Sequence, residues 1–188
     1  ETGEAPFKGL RYFGEEDADL FFGRERLTSR MVEHLRTSRF LAVVGASGSG
    51  KSSVVRAGLV PAVKQGDAPV KDGHVHVITP TAHPLESLAV SLTRDASSVS
   101  AATMLADDLA RDPRALRLHA QRQVGGAGMP LLLVVDQFEE LFTQCRSEAE
   151  RQAFIDNVLA AACPSELGGK DGQCDAGQHV SVVVALRA

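Results

Sequence analysis

Residues 45–52, Gly45-Ala46-Ser47-Gly48-Ser49-Gly50-Lys51-Ser52, fit the pattern G-x-x-x-x-G-K-[ST]. The glycines of this pattern let the backbone curl around an anion without Cβ clashes, so that several N–H groups point at one spot. The lysine adds a positive charge there, and the last hydroxyl is a ligand for Mg²⁺. The stretch therefore predicts a phosphate-binding loop.

The sequence on both sides of this loop supplies the strand and the helix that the pattern requires. Residues 40–44 form an apolar run with the length of a buried parallel strand, and residues 52–57 can continue as a helix. A flexible Gly/Ser turn is the alternative, and this context disfavours it. The expected nucleotide-binding residues are Gly45, Ala46, Ser47, Gly48, Ser49, Gly50, Lys51, Ser52 and Ser53.

Length, composition and charge limit the classes of protein to consider. The chain has 188 residues, of which 44% are hydrophobic, and its formal net charge is −4. These values suit one α/β domain and argue against general nucleic-acid binding. No apolar run approaches the ~20 residues that span a bilayer, so no membrane partner is expected. Three scattered cysteines suit a reducing cytoplasm rather than a disulfide framework.

Hydrophobic spacing predicts the remaining strands and helices. Further strands are expected at residues 74–79, 131–136 and 180–187, and helices before residue 38, from residue 84, and at residues 102–111, 114–123 and 148–162. The helix after the phosphate-binding loop is expected to end at Gly58 or Val60, because Pro61 lacks a backbone N–H. In the helix at 148–162, Phe154, Ile155, Val158 and Leu159 are expected to face the core.

Acidic and basic residues follow two of the predicted strands. Asp136 ends the apolar run 131–135 and is the expected second ligand of Mg²⁺ beside Ser52. Hydrolysis needs a carboxylate that orients water, and Glu139 and Glu140 are the candidates, with Glu140 slightly favoured. Acids at this position can also simply stabilise a helix N-terminus. Arg187 follows the last strand, either as a γ-phosphate sensor or as a solvated arginine.

Two sets of possible metal ligands carry less support. His74 and His76 share one face of a predicted strand, and a partly exposed strand face explains them better than a metal site. Cys163, Cys174 and His179 do not have zinc-finger spacing.

The chain resembles the STAND class of signalling NTPases, and specifically the bacterial novel STAND domains that are often fused to WD40 repeats. Residues 21–25, 40–53, 131–141 and 182–187 carry the resemblance. It implies that Gly23 and Arg24 border the adenine, that Lys51, Glu139, Glu140 and Arg187 serve catalysis, and that Asp136 belongs to a Walker B element.

The resemblance also implies an architecture, a P-loop NTPase domain with three α/β/α layers and a mostly parallel sheet in the order 5-1-4-3-2. We expect residues 1–20 to be an N-terminal segment packing on the domain, and residues 21–188 to be the domain itself, ending after its fourth strand. The fifth strand, a winged helix and sensor repeats would then lie outside this piece of the protein. The first strand would be an exposed edge, which the N-terminal segment is one candidate to cover.

The function implied is an ATP/ADP switch with Mg²⁺ and slow ATP hydrolysis, which is expected to be weak or absent in this chain alone. Nucleotide state would control self-association into a homo-oligomer, and sensor repeats would act in cis. Two alternatives stay open, a nucleotide-binding scaffold without significant hydrolysis and a work-performing ATPase. The sequence has no L-S-G-G-Q ahead of the Asp136 strand, as a transporter ATPase would, and no N-K-x-D guanine motif.

Overall fold

The computed structural model describes residues 12–66, 74–96, 98–123, 131–162 and 180–188. The predicted loop at 163–178, Cys163, Cys174 and His179 lie outside these residues, as does most of the predicted loop at 64–73.

Four parallel strands form the sheet in the order β1-β4-β3-β2, which confirms the four predicted strands and their arrangement. Their bounds are Phe40–Gly45 (β1), Val75–Ile78 (β2), Leu131–Val135 (β3) and Val180–Arg187 (β4). β3 is buried along its whole length, as a strand covered on both faces must be.

Helices cover both faces of this sheet. The chain forms a 3₁₀ helix at Glu15–Leu20, then α1 (Glu25–Thr37), α2 (Lys51–Ser53, Val54–Leu59 and Val60–Lys64 in succession), α3 (Pro84–Leu92), α4 (Val99–Arg111), α5 (Ala115–Gln123), α6 (Glu140–Thr143) and α7 (Glu148–Ala162). Side chains of α3 to α7 pack on one face against Leu131, Leu133 and Val182. Side chains of α1 and α2 pack on the other against Leu132 and Val183. The predicted three-layer α/β/α architecture is therefore correct.

Helix α2 continues to Lys64, so the prediction that it ends at Gly58 or Val60 is wrong. Its middle part, Val54–Leu59, is π-helical, and the Val60 N–H bonds the Val55 carbonyl five residues back. An α-helical segment restarts at Val60, with Pro61 in its first turn. Pro61 has no N–H to donate, and it lies directly after the change from π-helical to α-helical hydrogen bonding.

Gly58 allows α1 to lie close against α2. A Cβ at this position would come 2.7 Å from the Thr28 hydroxyl oxygen and 3.3 Å from a ring carbon of Phe21. Both distances are shorter than ordinary van der Waals contact, so only glycine fits without a shift of the Thr28 and Phe21 side chains.

The described part of the N-terminal segment runs along α2. The Phe13 N–H donates to the Ser53 hydroxyl oxygen at 3.1 Å, and the Lys64 ammonium pairs with the Glu15 carboxylate. These contacts do not cover the edge of the sheet, where the Val44 side chain on β1 is 59% exposed.

A buried asparagine determines which face of helix α7 points to the core. Asn157 is fully buried, and its amide donates to the Leu109 carbonyl at 2.8 Å and accepts from the Leu116 N–H at 3.1 Å. These two groups belong to the end of α4 and the start of α5, where backbone groups lack helical partners. With Asn157 inward, Leu159 is 48% exposed, and its predicted core position is wrong.

Candidate functional site

The carboxyl ends of all four strands meet at one edge of the sheet. β1 runs into the phosphate-binding loop, and Gly45 pairs in register with Arg187 at the end of β4. Asp136 follows β3, and its N–H donates to the Ile78 carbonyl of β2 at 2.8 Å. Open parallel sheets bind ligands at this edge, and the structure brings the phosphate-binding loop, Asp136 and Glu139 together there.

The loop after β1 is an open cradle for an anion. Gly48 and Gly50 have φ values of 74° and 84°, which side chains rarely adopt. The Lys51 ammonium donates to the Gly45 and Ala46 carbonyls at 2.8 Å each, so the loop backbone holds it at the mouth of the cradle.

Ser52 and Asp136 come together from residues 84 positions apart. The Ser52 hydroxyl donates to Asp136 Oδ1 at 2.9 Å, and Asp136 is 1% exposed. A hydroxyl beside a carboxylate is an oxygen donor set that suits a hard divalent cation such as Mg²⁺. No cluster of three or more His, Cys, Asp or Glu side chains that could hold a metal ion occurs in the described ranges, this site included.

Gln137 turns the chain sharply after β3. Its φ of 54° lies in the left-handed region, and its N–H donates to Asp136 Oδ1 at 3.0 Å. The turn sends the Phe138 ring to the core beside Phe154 and brings Glu139 back to the site.

Glu139 and Glu140 occupy different surroundings. Glu139 lines the pocket at the site, and its Oε2 accepts from the backbone N–H of Arg187 at 3.1 Å. Glu140 begins α6 and is not part of the pocket lining. The geometry therefore favours Glu139 over Glu140, against the expectation from the sequence. Arg187 is exposed, and its side chain is not part of the lining either.

The pocket between these groups has a volume of about 400 Å³. Tyr12 and Phe13 also line this pocket, a role that no motif in the sequence indicates. Gly23 and Arg24 lie outside the lining. The Gly23 N–H donates to the Glu25 carboxylate at 2.7 Å, and this bond lowers the pKa of Glu25.

A larger pocket of about 750 Å³ lies between α3, α4 and α5, beside His74 and His76 at the start of β2 and His119 on α5. Burial lowers the pKa of both His76 and His119, which favours their neutral forms. The described residues that line this pocket include neither a glycine nor a lysine, so the smaller pocket beside Lys51 is the better candidate for an anionic ligand.

Arg56 is a further site residue that the sequence did not reveal. It lies one turn beyond Ser52 on α2, and its Nε donates to Asp136 Oδ2 at 2.7 Å. Its position four residues after Ser52, on the same helix face, is the one signal that could have indicated it.

No helix within the described ranges has the length and apolar character needed to cross a bilayer.

The comparison with curated proteins finds no match. Among solved structures, the chain is similar to that of the ORC2 protein of Aeropyrum pernix in ADPNP–ADP complexes, with 16% identity and a TM-score of 0.46. The alignment covers 88% of this chain and 40% of that protein. The family model for Novel STAND NTPase 1 matches residues 6–188, so the chain belongs to the novel STAND NTPase family.

Proposed function

We propose that the 400 Å³ pocket binds ATP and ADP with Mg²⁺ and that the chain is the nucleotide-binding part of a bacterial, cytoplasmic signalling switch. The observation that carries the proposal is the hydrogen bond of 2.9 Å between Ser52 and Asp136, next to a glycine cradle that ends in Lys51. Membership of an NTPase family supports the same ligand class.

Each residue of the pocket has a defined task in this proposal. The N–H groups of residues 45–51 and the Lys51 ammonium bind the β- and γ-phosphates. Ser52 and Asp136 hold Mg²⁺, which supplies neutralisation of the phosphate charge. Glu139 orients the attacking water, and its bond to the Arg187 N–H fixes the direction of its carboxylate.

Other parts of the proposal depend on the family. Gly23 and Arg24 border the adenine, Glu140 supports Glu139, and the Arg187 side chain senses the γ-phosphate. ADP would favour a closed monomer and ATP a self-associating form, with sensor repeats acting in cis and slow hydrolysis resetting the switch. A nucleotide shifts such a balance only by the difference between its affinities for the two forms.

Thermal unfolding with and without Mg-ADP and Mg-ATP tests nucleotide binding. At 100-fold over its dissociation constant, a ligand stabilises the fold by about 2.7 kcal/mol. Lys51→Ala should abolish the rise in melting temperature, because the ammonium that meets the phosphates is gone. Lys64→Ala, on the same helix but outside the pocket lining, should keep it. No rise in a folded wild type would contradict the proposal.

Turnover distinguishes the switch from a scaffold that binds without hydrolysis. Glu139→Gln keeps the shape of the side chain but removes the base, so ATP turnover should fall while nucleotide binding persists. Turnover equal to that of wild type would favour the scaffold.

A further inference from the structure

Arg56 connects the buried carboxylate of Asp136 to two other elements. Its Nε donates to Asp136 Oδ2 at 2.7 Å, and its Nη2 donates to the Thr79 hydroxyl after β2 at 3.1 Å. The Arg56 side chain is 19% exposed and that of Asp136 is 2% exposed, so water screens this ion pair weakly. A guanidinium suits the position because its donors lie in one rigid plane.

The two oxygens of Asp136 have separate partners as a result. Oδ1 accepts from the Ser52 hydroxyl and from the Gln137 N–H, whereas Oδ2 accepts from Arg56. The carboxylate cannot rotate without breaking a charge-assisted hydrogen bond. Arg56 therefore keeps Oδ1 on the side of Ser52.

The N-terminal segment covers the outer side of Arg56. The Tyr12 ring lies 4.7 Å from the guanidinium carbon, within the range of a cation–π contact. The adjacent Phe13 N–H donates to Ser53, so the segment is held directly after this contact. The segment and the carboxylate thus share one arginine.

We propose that Arg56 is a positioning residue for the Mg²⁺ site, orienting Asp136 toward Ser52 while Tyr12 and Thr79 hold the guanidinium in place. The inference rests on the proposed function, because it concerns the metal that would accompany the nucleotide. It assigns Arg56 no contact with the nucleotide itself. Removal of Arg56 should therefore weaken the contribution of Mg²⁺ to binding and leave metal-free binding intact.

Calorimetric titration with a non-hydrolysable ATP analogue, once with Mg²⁺ and once with EDTA, separates the contribution of Mg²⁺ from metal-free binding. The measured quantity is the gain, the dissociation constant in EDTA divided by that in Mg²⁺. In Arg56→Gln the gain should fall about tenfold, as expected when a group that orients a metal ligand is lost, with the EDTA value unchanged. Arg56→Lys keeps the positive charge but lacks the planar set of guanidinium donors, so the gain from Mg²⁺ in this variant should be intermediate. Arg111→Gln is the matched control, because its pair with Asp107 is exposed.

The outcomes separate this inference from the proposed function. A wild-type gain that persists in Arg56→Gln would overturn the inference alone. If Arg56→Gln does not fold, Arg56→Lys and Thr79→Val decide, and unchanged gains in both would overturn it. No gain from Mg²⁺ in the wild type would overturn the proposed metal site together with the inference. A purely structural role for Arg56 would lower the melting temperature and leave the gain unchanged.

Discussion

Two buried ionisable side chains at opposite ends of the sheet are held in different ways. Asp136, at the carboxyl end, is 1% exposed and accepts hydrogen bonds from a hydroxyl, a guanidinium and a backbone amide. His76, near the amino end, is 8% exposed, and its Nδ1 bonds the Ser91 hydroxyl at 3.2 Å. Its Nε2 has no partner among the described residues.

The two side chains differ in the charge of their partners. Asp136 accepts a hydrogen bond from the cationic guanidinium of Arg56, whereas Ser91, the partner of His76, is neutral, and burial lowers the pKa of His76. A buried hydrogen bond to a charged donor is stronger than a neutral one. The following variants test that contrast, from the largest expected effect to the smallest.

Arg56→Met should have the largest effect on stability. It leaves the Asp136 carboxylate buried without its ionic partner, which costs about 3 kcal/mol of the free energy of unfolding. Urea unfolding followed by circular dichroism measures the change. The double variant Arg56→Met, Asp136→Asn removes both charges and should recover most of the loss. If it does not, packing of the arginine against Tyr12 matters more than its charge.

Gln137→Val should cost about 2 kcal/mol, because a β-branched side chain strongly disfavours positive φ. Gln137→Gly is the matched control, since glycine adopts this conformation freely, and its stability should stay close to that of wild type. Equal losses in the two variants, measured by urea unfolding, would show that the glutamine side chain itself is important.

The double variant His76→Leu, Ser91→Ala at the other end of the sheet should change the free energy of unfolding by less than about 1 kcal/mol. Replacing both partners of a buried hydrogen bond with apolar groups is often nearly neutral. Ser91→Ala alone should cost more than the double variant, because it leaves His76 with no partner. A loss in the double variant as large as that of Arg56→Met would erase the contrast between the two ends.

The pH dependence of stability should show the smallest effect. Because the folded pKa of His76 is lowered, the unfolded chain binds its proton more readily. The contribution of His76 to stability is therefore fully present above its unfolded pKa of about 6.5 and is lost as the pH falls below that value. Unfolding at pH 7.5, 6.5 and 5.5 should give a shallower decline in His76→Leu than in wild type. His119, whose pKa is also lowered by burial, accounts for the decline that remains. An unchanged profile would mean that His76 does not titrate differently on folding.

The sheet and the phosphate-binding loop were predictable because local patterns specify them. A run such as residues 131–135 is apolar at every position, which only a strand covered on both faces needs. The spacing of the glycines before Lys51 lets the loop backbone curl around a phosphate, so it can be recognised in the sequence. The order of the strands came from family resemblance rather than from these patterns.

Features that depend on distant contacts were not predictable. The contact of Arg56 with Asp136 spans 80 residues, and the spacing of Arg56 from Ser52 does not by itself identify its partner. The inward position of Asn157 follows from unpaired backbone groups on two other helices, which a count of apolar residues ignores. Likewise, the position of Glu139 in the pocket depends on the positive φ of Gln137.

The π-helical stretch of α2 changes which face of the helix points inward, so the part at the site and the part in the core are oriented independently. Each residue advances an α-helix by about 100°, so one inserted or deleted residue rotates everything that follows. The stretch Val54–Leu59 accommodates such an extra residue, so that Arg56 can face the end of β3 while Val63 is fully buried in the core. A one-residue deletion within it would preserve the phosphate-binding loop yet misalign the far half of the helix. The extra residue thus lets one helix place Arg56 at the site and Val63 in the core.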